Sequence, residues 1–356
     1  IGARTAAKSF LSLALMLIAA CVPTVQRAHS QIEGFQGPRF DVANQHFVSF
    51  DGAELGLSAW LPPNGQEPTS VIIALHGMND YAGAFYLAGP WFAQHGVALF
   101  AYDARGFGRS PHTGLWAGDK AMLADFRDFT AAVRAENPGV PLYLLGESMG
   151  GAVVLAGLSQ PGAPKADGVI LVAPAVWGWS TMNFWYRSAL WLVAHVLPGK
   201  QVTGSGLTIQ PSDNIDALRD LGSDPLVIKP TRTDAVYGLV GLMDKAILNA
   251  PKVNAPILLL YGERDEIVPR WPIQKLVEKL APAPRIALYP NGYHLLMRDL
   301  SRELVWNDVL AFIDRANGPL PSGYEFQRQA FIEGKVWSQP KQMTAEAPSA
   351  VPAAAR

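Results

Sequence analysis

The stretch that most limits what this chain can fold into is Gly146-Glu147-Ser148-Met149-Gly150. It follows the apolar run Pro141-Leu142-Tyr143-Leu144-Leu145 and precedes Gly151-Ala152-Val153-Val154-Leu155. A buried strand that passes through G-x-S-x-G into an apolar helix predicts a sharp strand–turn–helix with the serine hydroxyl projecting above a sheet. Glycines on either side of the serine let strand and helix approach closely. By itself the pattern is weak, because glycine and serine are common in ordinary turns. It gains meaning only with a base and an acid.

A serine hydroxyl is a poor nucleophile until a positioned base takes its proton and a carboxylate orients that base. Pro256-Ile257-Leu258-Leu259-Leu260-Tyr261 reads as a buried strand and empties into Gly262–Pro269. In that loop Asp265 is the natural acid, at the point where a strand-end carboxylate points back over the sheet; Glu263 and Glu266 are its rivals. Arg285–Tyr289 reads as a further strand, and the loop Asn291-Gly292-Tyr293-His294 makes His294 the candidate base. Ser148, Asp265 and His294 thus fall in successive strand-end loops, in the chain order serine, acid, histidine. Most of the other histidines, at 29, 46, 76, 95, 112 and 195, are expected to be structural. An oxyanion needs two backbone N–H donors. Met149, after the serine, is expected to give one, and Met78, in the loop after the strand Ser70–Leu75, the other. His76 in the same loop is expected to hold backbone.

With these residues in view, the chain resembles α/β-hydrolases of the monoacylglycerol lipase and lysophospholipase branch, the serine-aminopeptidase-like group. The resemblance is carried by His76-Gly77-Met78, Asp103–Ser110, Gly146–Gly151, Ser223–Val227, Gly262–Pro269 and Gly292–Leu296, and spans about residues 42 to 316. It implies Ser148 as nucleophile, Asp265 as acid, His294 as base, and Met78 with Met149 as oxyanion donors. The Asp103–Ser110 loop and the serine motif are shared by many hydrolases; Ser223–Val227 and Gly292–Leu296 are more typical of the lipase-like branch. Asp103 and Arg105 are expected to be structural, bonding backbone or each other.

Strands alternating with helices predict a mostly parallel, eight-stranded sheet with helices on both faces, the α/β-hydrolase fold. Asp51-Gly52 between Asn44–Phe50 and Leu55–Leu61 reads as a hairpin. Helices are expected over Gly83–His95, Trp116–Glu136 and Ser301–Ala316. From about 174 to 255 the alternation stops, which predicts a helical cap insertion. Its aromatic first half suggests Trp177, Trp179, Phe184 and Trp185 as walls of an acyl channel, with some rings at a membrane surface.

The net charge of −1 with no basic run argues against nucleic acid, and a single cysteine excludes an internal disulfide. No Cys/His cluster has metal-ligand spacing, and no cofactor is implied. Arg4 and Lys8 followed by the apolar run Phe10–Ala20 read as an export signal, too short for a comfortable membrane span. The run ends Ile18-Ala19-Ala20-Cys21, which resembles a bacterial lipoprotein box. The expectation is lipidation at Cys21 and anchoring in a bacterial cell envelope, with an ordinary cleaved signal or an uncleaved anchor as the alternatives. Residues 22–41 read as a tether, and 317–356 as an extension that is disordered at its Ala/Pro-rich end.

The whole predicts a membrane-tethered serine ester hydrolase acting on a single-chain acyl lipid, a monoacylglycerol or lysophospholipid. A small-ester carboxylesterase, thioesterase or acyltransferase stays open, as does a non-catalytic lipid-binding lipoprotein on the same scaffold.

Overall fold

The computed structural model describes residues 22–27, 34–35, 37–204 and 208–337. Cys21 with the apolar run before it, and the Ala/Pro-rich C-terminus, lie outside the described residues.

The strands of the main sheet are β1 (Arg39–Asp41), β2 (His46–Val48), β3 (Glu54–Trp60), β4 (Ser70–Leu75), β5 (Val97–Tyr102), β6 (Leu142–Glu147), β7 (Gly168–Val172), β10 (Ile257–Gly262), β11 (Arg285–Tyr289) and β12 (Glu325–Phe326). They lie in the order β1-β2-β3-β5-β4-β6-β7-β10-β11-β12. The run from β5 to β11 is parallel, whereas β1, β2 and β3 at one edge and β12 at the other pair antiparallel. The sheet therefore has ten strands rather than the expected eight. The two extra ones, β1 and β12, arise in segments read as tether and extension. Edge strands two or three residues long pair through backbone groups and leave no alternation to read.

Every residue of β4, β5, β6 and β10 is buried, as parallel strands covered on both faces must be. Alternate side chains feed two layers. Ile72, Ala74, Leu145 and Leu258 pack with Phe92 of α1 (Ala88–Gln94) and with Val309 and Phe312 of the helix Arg302–Asp314. Val71, Ile73, Leu144 and Leu259 pack with Phe126 and Phe129 of α2 (Asp119–Glu136) and with α3 (Met149–Leu158), the helix after Ser148. The helix expected over Gly83–His95 is divided into a 3-10 turn, Ala82–Phe85, and α1; Pro90 sits in the first turn of α1, where a missing N–H costs nothing. That expected from Trp116 starts at Asp119, after Gly118 at φ 81°.

The insertion contains α4 (Phe184–Val196), a small antiparallel ribbon of β8 (Gln201–Val202) with β9 (Thr231–Arg232), and α5 (Ile215–Ser223). The next helix, α6 (Thr233–Asn249), buries Val240, Leu242, Ala246 and Ile247 in the layer that holds α3. It packs in the core layer against α3, within the span 174–255 read as an insertion. An apolar helix looks the same in sequence whether it covers a sheet or builds a cap. The chain then continues through α7 (Arg270–Lys279), α8 (Arg302–Asp314) and α9 (Arg328–Ile332).

The flanking segments dock. Gln26 N–H donates to Trp116 O at 2.8 Å, and Gln26 Nε2 to Leu115 O at 2.5 Å. At the other end Phe331 is fully buried, Gln274 Nε2 on α7 donates to Phe331 O at 3.0 Å, and the Trp337 ring lies edge-on to Tyr261. Among the described residues no helix is long and apolar enough to cross a membrane.

Candidate active site

β6 delivers Ser148 at its C-terminal end. The serine has φ 52° and ψ −114°, a left-handed conformation that costs a non-glycine residue on the order of 1–3 kcal/mol. Surrounding bonds hold it there: Ser148 N–H donates to Val172 O of β7 at 2.9 Å, and Ser148 O accepts from Ala175 N–H at 2.9 Å. The turn is also packed too tightly for side chains, since a Cβ on Gly150 would overlap the carbonyl of Leu75. The strain points the hydroxyl away from the sheet and into a cavity of about 580 Å³.

Ser148, His294, Met78 and Gly77 line this cavity together. Gly77 passes so near that a Cβ on it would stand 3.3 Å from Ser148 Cβ. Met149, the first residue of α3, is buried behind the serine. His294 and Asp265 are both buried, and His294 Nδ1 donates to Asp265 Oδ2 at 2.8 Å. The other carboxylate oxygen of Asp265 accepts from the amides of Ile267 at 2.8 Å and Val268 at 3.0 Å, which fixes the carboxylate plane. Burial pulls the His294 imidazolium down, but the charge and hydrogen bond of Asp265, aided by Glu147, outweigh it and raise the pKa above the ordinary histidine value. The rival acid Glu266 points elsewhere: it is exposed and accepts from Gln210 N–H at 3.1 Å.

His76 holds backbone. Its Nε2 accepts from Ala104 N–H at 2.9 Å and its Nδ1 donates to Gly77 O at 2.7 Å, a pairing that needs the neutral ring, which burial favours. The Asp103–Ser110 loop is structural, but Asp103 and Arg105 do not pair with each other. Asp103 accepts from Ala82 N–H at 2.9 Å and from Arg109 Nε at 2.8 Å. Arg105 lies buried between Asp51 and Asp125, each accepting two bonds from it at 2.7 Å. The serine loop, the acid loop and the histidine loop therefore converge on one cavity, as ester or amide cleavage by a serine requires.

The cavity's apolar wall comes from Leu218 and Leu221 of α5, with Val227, Ile228, Ile267 and Leu295. Its polar end is a buried charge cluster: Arg298 Nη2 is 2.7 Å from Asp80 Oδ2 and 3.5 Å from Glu147 Oε2. The Glu147 carboxylate oxygens have no hydrogen-bond partner among the described residues, and burial pushes its pKa up. Sequence reasoning missed this lining. Its traces were the segments Ser223–Val227, Gly262–Pro269 and Gly292–Leu296, which carry the family resemblance and supply Val227, Ile267 and Leu295 to the lining.

None of Trp177, Trp179, Phe184 and Trp185 lines this cavity. Trp177 packs edge-on to Tyr186, while Trp179 and Phe184 border a separate groove of about 460 Å³ with Arg187, Trp191 and Tyr237. Trp185 is 77% exposed. Trp177 and Trp179 precede α4 and pack against the core, and Phe184 and Trp185 follow the orientation of α4, which buries only Ala194. A helix apolar all round gives no sign in its spacing of which face turns inward.

Residues 66–301 match the family model described as serine aminopeptidase, S33. The chain belongs to this family. It is a hydrolase of the α/β-hydrolase fold. Among its relatives, the monoacylglycerol lipase of Mycolicibacterium smegmatis is 28% identical over 281 residues, covering 75% of this chain and 95% of that one. Human monoglyceride lipase is 26% identical over 272 residues, 72% of this chain and 84% of its own length. A solved soluble variant of the Saccharomyces cerevisiae monoglyceride lipase, in complex with a substrate analog, superposes with TM-score 0.66 at 20% identity, over 82% of this chain and 100% of that one. The Paleococcus ferrophilus monoacylglycerol lipase gives 0.60 at 21%, over 73% and 98%. These structures share the fold.

Proposed function

We propose that this S33-family hydrolase is a serine esterase that cleaves the carboxylic ester of single-chain acyl lipids, monoacylglycerols or lysophospholipids, through an acyl-enzyme. The observation that carries the reading is one cavity lined by Ser148, by apolar side chains and by His294, whose ring is bonded from behind to buried Asp265. His294 takes the proton of Ser148 Oγ as the hydroxyl attacks the ester carbonyl. The N–H groups of Met78 and Met149 receive the oxyanion, and Asp265 stabilises the imidazolium. His294 then protonates the departing alcohol, the acyl-enzyme forms, and a water activated by His294 releases the fatty acid.

The lipid part of the reading is supported by Leu218, Leu221, Val227, Ile228 and Leu295, which offer apolar surface next to the serine. Burying eight methylenes there contributes roughly 6 kcal/mol before entropy costs, at about 0.8 kcal/mol each. Monoacylglycerol is favoured as substrate class by the relatives, which are monoacylglycerol lipases.

Membrane association is the second part. It is supported by α4, whose Phe184, Trp185 and Leu192 are 69%, 77% and 55% exposed, an apolar surface suited to a lipid interface. Lipidation at Cys21 in a bacterial envelope supplies the anchor in this reading.

The deciding experiment compares protein lacking residues 1–21 with its Ser148→Ala form on monoacylglycerol, lysophosphatidylcholine and nitrophenyl esters of increasing chain length. Ser148-dependent turnover that rises with acyl length, with either lipid cleaved, is expected. Cleavage of the shortest esters alone removes the lipid reading, and no turnover above the alanine form removes the esterase reading. Transfer to an added alcohol in preference to water would make the enzyme an acyltransferase.

A further inference from the structure

The cap segment Gln210–Asn214 is bonded to both loops that carry the proposed base and acid. Ser212 Oγ donates to Asp299 Oδ1 at 2.6 Å, and Tyr293 N–H, one residue before His294, donates to Asp299 Oδ2 at 2.8 Å. Asp299 is fully buried, so its two oxygens bridge the cap on one side and the histidine loop on the other. The flanking bonds repeat the connection. Leu295 N–H, one residue after His294, donates to Pro211 O at 2.9 Å, and Asn214 Nδ2 donates to Arg298 O at 2.8 Å. At the other end Gln210 N–H donates to Glu266 Oε2, one residue after Asp265. Asn214 is also the N-cap of α5, accepting from Ala217 N–H at 3.3 Å, and α5 places Leu218 and Leu221 on the cavity wall.

A buried carboxylate is costly unless its lone pairs are satisfied, and removing it strands both donors. A join between loops that served architecture alone needs no such group. We infer that Asp299 is a positioning residue: it accepts from the Tyr293 amide and the Ser212 hydroxyl, and so holds His294 in register with Ser148 only while the cap is seated. The inference rests on the serine-esterase reading of the site. It makes the cap a part of the catalytic register as well as a wall for substrate.

The test uses the full enzyme and a two-carbon nitrophenyl ester, whose acyl group has the least apolar surface to bury against the wall. Asp299→Ala is expected to lower kcat by about 10–100-fold, the penalty of a small misplacement of a catalytic group, with KM within about 2-fold. Asp299→Asn, which keeps an acceptor for the Tyr293 amide, is expected to recover most of that loss. Ser212→Ala is expected to lower kcat by itself and to add nothing on top of Asp299→Ala, because both act through one bond. A change confined to KM, or independent multiplication of the two effects, overturns the inference. If Asp299→Ala does not fold, Ser212→Ala decides: an unchanged kcat for that variant overturns it. Turnover that survives Ser148→Ala would instead sink the esterase reading, a separate and distinguishable failure.

Discussion

His294 Nδ1 lies 2.8 Å from Asp265 Oδ2 with both side chains shut away from solvent, so the imidazolium gains a counter-charge that water does not screen. Neutral His294 is the form that can accept a proton from Ser148. Activity should therefore be lost as pH falls through its pKa, and that pKa is raised. The acidic limb of kcat/KM is expected above about pH 6.5, the ordinary histidine value. In Asp265→Asn only burial remains of the larger causes, so the limb should move to lower pH. Its kcat should drop about 10⁴-fold because the ring loses its orienting acceptor. A pH–rate profile of both forms checks this; an unmoved limb would assign the ionisation to another group.

Ser148→Ala is expected to remove at least about 10³-fold of the ester turnover while leaving Tm near the wild-type value, since alanine inherits the strained φ of 52°. Ser148→Gly should be equally inactive yet no less stable than the alanine form, because glycine adopts that φ freely and recovers part of the roughly 1–3 kcal/mol of strain. Thermal unfolding of the two variants side by side makes the comparison.

Chain-length preference should respond to Leu221 and not to the aromatic helix. Leu221→Trp fills the cavity and is expected to cut turnover of long-chain esters at least about 10-fold, with the two-carbon ester changed less than about 2-fold. Trp185→Ser should leave the chain-length profile of soluble esters intact and weaken sedimentation with phospholipid vesicles. A shift in chain-length preference on replacing Trp185 would return α4 to the substrate channel.

Arg105 is enclosed by Asp51 and Asp125, and the latter also accepts from Ser49 Oγ at 2.5 Å. Arg105→Ala leaves two carboxylates buried without their cation and is expected to cost about 3–5 kcal/mol of stability. Below its lowered Tm the variant should retain kcat, because Arg105 is not among the residues lining the cavity. Denaturant unfolding with an activity assay at low temperature tests both halves.

Much of the core was legible because its signals are local. Ser70–Leu75 and Pro256–Tyr261 are continuous apolar runs of strand length, and the structure has buried strands at 70–75 and 257–262. The Asp51-Gly52 hairpin is likewise encoded within a few residues. The signal fails where the deciding partner is distant. Thr233–Asn249 reads like any apolar helix, and only its packing on α3 assigns it to the core. Asp80 and Arg298, 2.7 Å apart at the polar end of the cavity, are separated by most of the chain and carried no mark in sequence.

The sequence by itself determined the alternation of buried strands and helices, the strained turn at Ser148, and the loops that hold Asp265 and His294. Each depends on hydrophobic period and turn chemistry within a short window. Only the tertiary structure decided which apolar surface faces the serine. The rings of α4 turn outward while Leu218 and Leu221 of α5 line the cavity: α4 is tied to α6 by Thr233 Oγ1 donating to Leu197 O and by the His195–Tyr237 ring contact, and α5 follows the bonds of Gln210–Asn214 to the histidine and acid loops. Those bonds join residues far apart in the chain, and a pattern of side-chain types cannot encode an angle between two elements that meet only after folding.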